Sequence, residues 1–319
     1  MKVAQGILDL IGNTPMVKLN KLVGNTKTNV FVKLEYLNPT GSLKDRIALK
    51  MIEEAEEKGL LKPGYIILES STGNTGISLS FVGCLKGYEV IIYETTPGKM
   101  GEEKRKIMRN YGAKVYSLPP DELKALNEGS VAGAEVERPG RWKCLELERS
   151  SPNYWWARQF SNPSNVAAHH RTGQEILDQT DGKVDVFVAS IGTGGTLMGI
   201  AEVLKDANPK VRIIGIEPVS SKTPIVPGKP YPSSEITGGI ISDMVEKPGL
   251  IDEVISVTDE EAVDMARRLR KEEGLFAGVS SGANVLISIK EAKKLSSGNV
   301  VTVLPDHGDR YLTEEHYVT

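Results

Sequence analysis

Short apolar runs alternate with amphipathic segments along most of the 319-residue chain. Residues 29–36 (NVFVKLEY) place apolar side chains at every second position, the pattern of a strand with one buried face. Residues 43–58 follow with a longer period. Leu43, Ile47, Met51 and Ala55 fall on one helical face, with Glu and Lys opposite. The same reasoning predicts strands at 65–69, 89–93 and 114–118 and helices at 75–85 and 99–111. The second half repeats the rhythm, with strands at 184–190, 211–217, 253–257 and 299–305 and helices beginning at Thr196, Thr258 and Ser281. Thr258 and Glu261 form a T-x-x-E capping box that sets the start of one helix. Strands alternating with helices predict an α/β fold whose sheets are largely parallel and covered on both faces.

Two stretches break the rhythm. Residues 119–153 are rich in Pro, Glu, Arg and Ser and weakly periodic, with one short helix expected at 121–126. Residues 218–249 carry several prolines and the pair Gly238-Gly239. Loops of this length in a folded protein serve as lids or binding loops. The first separates two strand–helix runs, so the expectation is two lobes, each a largely parallel twisted sheet flanked by helices.

Composition narrows the function classes. Lys and Arg number 39 against 42 Asp and Glu, so no basic field draws nucleic acid. Apolar residues at 39% and charged ones at 25% describe a soluble globular protein. No apolar run approaches the ~18 residues of a membrane span, and the start MKVAQGILDLIGNTP lacks a secretory signal pattern. The two cysteines, Cys84 and Cys144, form no disulfide framework, and the expected compartment is the reducing cytoplasm. Cys84 reads as a buried apolar residue and Cys144 as one open to exposure. His169-His170 reads as a helix start or surface pair, not a metal site, and Trp155-Trp156 as packing residues.

In open α/β sheets, ligands gather beyond the C-terminal strand ends, where helix N-termini present free N–H groups. Three junctions are candidates. In Asn38-Pro-Thr-Gly-Ser-Leu-Lys-Asp-Arg46, Ser42 is the expected N-cap with Asp45 as its acidic partner. Lys44 then falls in the first turn, where the helix dipole disfavours a positive charge and favours the neutral amine that forms Schiff bases. Alternatively, Lys44 is an ordinary solvated lysine. Ser70-Ser71-Thr72-Gly73-Asn74-Thr75-Gly76 offers consecutive N–H groups and hydroxyls suited to a carboxylate; the alternative is a plain glycine-rich turn. Gly192-Thr193-Gly194-Gly195-Thr196 reads as a cup for one phosphate. Leu197 stands where a dinucleotide fingerprint needs glycine, and no Lys-Ser or Lys-Thr completes a Walker A loop. A phosphate cup, a carboxylate loop and a first-turn lysine together suit pyridoxal 5'-phosphate acting on an amino acid.

These residues resemble the cysteine synthase family, β-replacement enzymes among the pyridoxal-phosphate enzymes of fold type II, the tryptophan synthase β-like fold. The resemblance is carried by Ile11-Gly-Asn-Thr-Pro15, Pro39-Thr-Gly-Ser-Leu-Lys-Asp-Arg46 and Thr72-Gly-Asn-Thr-Gly76. It continues in Gln159-Phe-Ser-Asn-Pro163, Gly192-Thr-Gly-Gly-Thr196, Gly278-Val-Ser-Ser-Gly282 and Gly308-Asp-Arg-Tyr-Leu312, in the family's order. It implies a larger cofactor-binding domain of residues 1–37 plus 154–319 and a smaller, mobile substrate-side domain of 38–153.

The resemblance also implies site roles. Lys44 would hold the cofactor and remove the substrate α-proton, Asn74 would meet the ring hydroxyl oxygen, and Gly192, Thr193, Gly194, Gly195 and Thr196 would bind the phosphate. Ser280 would face the pyridine nitrogen. Ser71, Thr72, Thr75 and Gln159 would hold the substrate carboxylate. The implied reaction converts O-acetylserine or O-phosphoserine and sulfide, or another small thiol or thiosulfate, into L-cysteine through an aminoacrylate, in a homodimer. No metal is implied. Ile225 to Gly228 and Pro232 resemble the B-type isozymes.

Departures and rivals remain. Ser71-Thr72 stands where the family usually has Thr-Ser, and Ile240-Ile241 where a glycine-containing segment is common. Lys222 and Lys229 are candidates for meeting a phosphate on the donor. Cystathionine β-synthase chemistry with homocysteine is the alternative within the family. Gly278-Val279-Ser280-Ser281-Gly282 also matches G-x-S-x-G, so a hydrolase would use Ser280 with Asp306 and His307. A catalytically idle binding module is the remaining rival, and the presence of Lys44 argues against it.

Overall fold

Two sheets organise the chain in a computed structural model that describes residues 3–95, 101–118, 137–221, 223–231, 239–314 and 317. Their strands are β1 (Met16–Lys18), β2 (Thr28–Lys33), β3 (Ile66–Ser70), β4 (Glu89–Glu94), β5 (Lys114–Ser117), β6 (Tyr154–Trp156), β7 (Val186–Ser190), β8 (Arg212–Pro218), β9 (Glu253–Val257) and β10 (Gly298–Val303). The larger sheet runs β1-β2-β10-β7-β8-β9, and only the β1–β2 pairing is antiparallel. The smaller sheet runs β5-β4-β3-β6 and is parallel throughout.

Alternation along each strand feeds two cores, because successive side chains leave opposite faces of a sheet. In β7, Val186 and Val188 join Val30, Val32 and Ile214 against the helices Asp259–Arg268 and Val279–Ala292. Phe187 and Ala189 join Ile213 and Val301 against Pro163–Gln179 and Gly195–Ala207. In the smaller sheet, Ile67, Val90 and Ile92 pack on Lys44–Glu57 and Asn74–Leu85, while Leu68, Ile91 and Trp156 pack on Arg138–Ser150. With both faces covered, the central strands are apolar at nearly every position.

The expected elements are present wherever those residues are described, with ends shifted by a few positions. The box at Thr258 forms as expected, its hydroxyl accepting from Glu261 N at 3.1 Å. The expected helix at 121–126, the first residues of the one at 99–111, Lys222 and Pro232 lie outside the described residues.

Other expectations are corrected. Within 119–153, Arg138–Ser150 is a helix, with proline in its first turn. Only one stripe of it is buried, against β3 and β6, so its sequence is too polar to show the period. Gly239–Glu246 is likewise helical inside the stretch expected to be irregular. A helix start expected at His169-His170 is displaced: the helix spans Pro163–Gln179, and Asn162 caps it through Ser164 N at 3.0 Å ahead of Pro163. Trp155-Trp156 is indeed buried, but within β6, whose pairing with β3 assigns residues 154–156 to the smaller sheet. The expected boundary at 153/154 assigns them to the larger. Cys144 is fully buried in the cluster with Trp156, Leu68 and Ile91, not exposed.

Candidate functional site

The three loaded junctions meet at the C-terminal ends of the strands. Ser42 bridges Asp306 through its backbone, and Leu43 N donates to Pro305 O at 2.9 Å, tying the start of the first helix to the segment after β10. This tie corrects the expected cap: Leu43 holds the N-cap position, and the Asp45 carboxylate turns to Thr40 N (2.7 Å), Thr40 Oγ1 (2.5 Å) and Ser78 Oγ (2.6 Å). Lys44 is nevertheless the first helical residue, as expected. Burial pushes its amine down to about 8, against the opposing pull of Asp306 and Glu137. Lys44 is half-buried on the wall of a cavity and not freely solvated.

Lys44 shares an open cavity of about 640 Å³ with Asn74, Gly192, Thr193, Gly194, Thr196 and Ser280. Gly194 takes φ of 89° where the chain enters the helix Gly195–Ala207, a conformation that favours glycine. Gly195 N donates to Thr193 Oγ1 at 3.4 Å, and the next N–H groups of that helix lack intrahelical acceptors, the feature that suits a helix start to an anion. Gly195 is not on the cavity wall; a side chain there would overlap Asn165 Oδ1. Asn165 in turn donates to Thr193 Oγ1 at 3.0 Å and to Gln159 O at 2.6 Å.

Thr196 Oγ1 lies 3.1 Å from His169 Nε2, whose Nδ1 lies 3.2 Å from Thr172 Oγ1. Burial, reinforced by the charges of Lys44 and Arg46, holds His169 well below the usual imidazole range, so the ring is neutral. The pair is therefore neither a helix start nor two surface residues. His169 backs the cup from the middle of Pro163–Gln179, and only His170 reaches the exterior, 2.6 Å from Glu202.

Asn74 is held from both ends of its amide. Nδ2 donates to Asp306 Oδ2 at 2.7 Å, and Oδ1 accepts from Arg310 Nη1 at 2.6 Å. Tyr311 donates to the same Asp306 oxygen at 2.7 Å. These contacts overturn the hydrolase relay. Asp306 faces Asn74 and Tyr311, whereas His307 Nδ1 lies 3.1 Å from Asp309 and packs edge-on against Tyr36 and Phe276.

The expected carboxylate residues divide into two pairs. Ser71 Oγ accepts from Gly73 N (3.2 Å) and Gly76 N (3.0 Å), and Thr75 Oγ1 donates to Gln159 Oε1 at 2.6 Å; both brace the loop. Donors of Thr72 and Gln159 already hold a carboxylate. Glu137 Oε1 accepts from Thr72 N at 3.0 Å and Thr72 Oγ1 at 3.2 Å, and its Oε2 accepts from Gln159 Nε2 at 3.0 Å. The sequence reasoning missed Glu137, Asn165 and His169. An acidic residue two places before Pro139 is a helix-start signal that identifies the element, but nothing local announces the reach from Glu137 to Thr72.

The family described as "Pyridoxal-phosphate dependent enzyme" matches residues 7–306. A cysteine synthase of Staphylococcus aureus is 41% identical over 322 aligned positions, covering 99% of this chain and 98% of that protein. The crystal structure of a cysteine synthase from Entamoeba histolytica superposes with a TM-score of 0.84 at 34% identity, covering 100% of this chain and 92% of the other. That of an O-ureido-L-serine synthase gives 0.83 at 34% identity, covering 99% and 96%.

Proposed function

The chain belongs to the pyridoxal-phosphate dependent enzyme family, and from that premise we propose that it makes L-cysteine from an activated serine, O-acetylserine or O-phosphoserine, and sulfide. The residues of the cavity fit the cofactor. A lowered amine, a helix N-terminus entered through a left-handed glycine and a small hydroxyl side chain line one space. Lys44 would hold the cofactor's aldehyde, Gly192, Thr193, Gly194 and Thr196 its phosphate, Asn74 its ring oxygen and Ser280 its ring nitrogen, with Gly195 leaving room for Asn165 behind them. Bound there, pyridoxal phosphate supplies a conjugated electron sink that acidifies the amino acid's Cα–H and allows a β-substituent to depart.

The protein's own groups do the rest. Lys44 Nζ, with its pKa near 8, accepts a proton at Cα and returns it without a large penalty either way. Asp306 and Arg310 fix the Asn74 amide in one orientation. A hydroxyl at Ser280, unlike a carboxylate, does not hold a proton on the ring nitrogen, which favours prompt departure of the β-group. Thr72 and Gln159 supply donors for the substrate carboxylate, with Ser71 and Thr75 holding them in place.

The observation that carries this reading is the convergence of Lys44, Gly192, Thr193, Gly194, Thr196 and Ser280 on one cavity. The test is cysteine formation from each donor with sulfide, thiosulfate or homocysteine. Cysteine from one activated serine with sulfide supports the reading; preference for homocysteine replaces it with cystathionine formation. Lys44→Ala abolishes turnover, and borohydride reduction followed by peptide mapping puts the cofactor's mass on the Lys44 peptide. Full activity in Lys44→Ala overturns the assignment.

The reading extends to a homodimer, to movement of the smaller domain and to a reducing cytoplasm, the last supported by free cysteines at Cys84 and Cys144. Sedimentation of the purified protein checks the first. Among the described residues no helix is long and apolar enough to cross a membrane.

A further inference from the structure

The carboxylate loop holds an internal ligand. Both oxygens of Glu137 are engaged by Thr72 and Gln159, the residues assigned above to the substrate carboxylate. Glu137 does not reach them by chance rotation of a surface side chain. It is 9% exposed, and its own carbonyl accepts from Ser70 Oγ at 2.8 Å, beside the loop. The helix it leads into packs on β3 and β6 through Cys144 and Leu145. Gly140 brings that helix so close that a side chain there would overlap Ser70. A packed element therefore carries a carboxylate into a pocket made for one.

Two carboxylates cannot share these donors. Thr72 N, Thr72 Oγ1 and Gln159 Nε2 already give hydrogens to Glu137, and Gln159 Nε2 also donates to Ser70 O at 3.0 Å, so no free donor is left on these groups. A substrate carboxylate binds Thr72 and Gln159 only in molecules where Glu137 has swung away. We infer that Glu137 is a specificity-determining residue that competes internally with the α-carboxylate of the amino-acid donor and sets its affinity. The inference rests on the proposed role of the loop. Apparent affinity falls in proportion to the fraction of molecules with the donors free, so a competitor bound nine-tenths of the time weakens the donor about tenfold.

The experiment compares the holoenzyme with Glu137→Ala and Glu137→Gln. Glutamine keeps the shape and removes the charge, which guards against reading a packing defect as a functional effect. The expected result is a KM for the amino-acid donor lowered about tenfold in Glu137→Ala and less in Glu137→Gln, with kcat changed less than about twofold. In parallel, acetate is titrated calorimetrically as a bare carboxylate probe, and it binds Glu137→Ala about tenfold more tightly than the parent. An unchanged or raised KM in both folded variants overturns the inference, as does unchanged acetate affinity. If neither parent nor variants make cysteine, the proposed reaction fails, and the acetate titration alone then decides the competition.

Discussion

Lys44 owes its chemistry to position. Its neighbours are all tied down: Leu43 to Pro305, Asp45 to Thr40 and Ser78, Arg46 to Glu35 and Glu175. The amine is thus held in a partly dry pocket, and burial pushes its pKa to about 8 from an ordinary value near 10.5. The sign is that of a base whose charged form is disfavoured, so the neutral, nucleophilic form exists below the usual range and makes up about a tenth of the population at pH 7. Loading of the apoprotein with pyridoxal phosphate is expected to accelerate about tenfold per pH unit below 8 and to level off above it. The growth of visible absorbance measures this, and a rate still climbing steeply past pH 9 contradicts the assignment. That Lys44, Asn74, Gly192–Gly194, Thr196 and Ser280 line one cavity was legible because each sits in a short contiguous motif at or next to a helix start, Ser280 through the family resemblance alone. Glu137 was not, because its bond to Thr72 spans 65 positions and depends on how a whole helix is seated.

Among the elements, the turn between β7 and its helix shows how close packing serves the site. Gly195 leaves room for Asn165, and Asn165 positions Thr193. Gly195→Ala forces Asn165 aside. It is expected to weaken cofactor binding at least about tenfold and to destabilise the apoprotein by about 1–3 kcal/mol, the usual range for overpacking. Equilibrium dialysis and urea denaturation read the two effects separately. Unchanged cofactor affinity removes Asn165 from the account of the cup. The same scale explains what the hydrophobic pattern missed. Apolar runs such as VFVAS declare a strand buried on both faces, but Tyr154–Trp156 is three residues long and acquires its identity only from pairing with β3. Arg138–Ser150 buries Arg141 and Gly140 along with Cys144 and Leu145, so its contact stripe does not look apolar.

Across the molecule, the junction of the two sheets is charged and dry. Arg46 forks onto Glu35 through Nε and Nη2, at 2.7 and 2.8 Å, and onto Glu175 through Nη1 and Nη2, at 2.8 and 2.7 Å. Lys33 adds a contact to Glu175 at 2.9 Å. Glu35 follows β2 of the larger sheet, Glu175 lies on Pro163–Gln179, and Arg46 belongs to the helix that packs on the smaller sheet. Arg46→Met leaves two buried carboxylates short of their partner and is expected to cost about 3–5 kcal/mol, measured as a lower urea midpoint. Burial raises Glu175, yet Arg46 and Lys33 outweigh it and hold the carboxyl at about 2, below its ordinary 4.5. The stability this brings is complete above pH 4.5 and is lost as the pH falls toward 2. Arg46→Met therefore flattens the acid limb of the stability curve; an unaltered limb excludes Glu175 as its source.

The place of that junction has a mechanical consequence. Points near the axis of a rotation travel little, however far the rim swings. The residues flanking the amine are fastened to the larger sheet at Pro305 on one side and at Glu35 on the other. If the smaller sheet swung about this line, the Thr72 loop would travel through an arc while the nucleophile stayed almost stationary, and its aim at the reacting carbon would be kept.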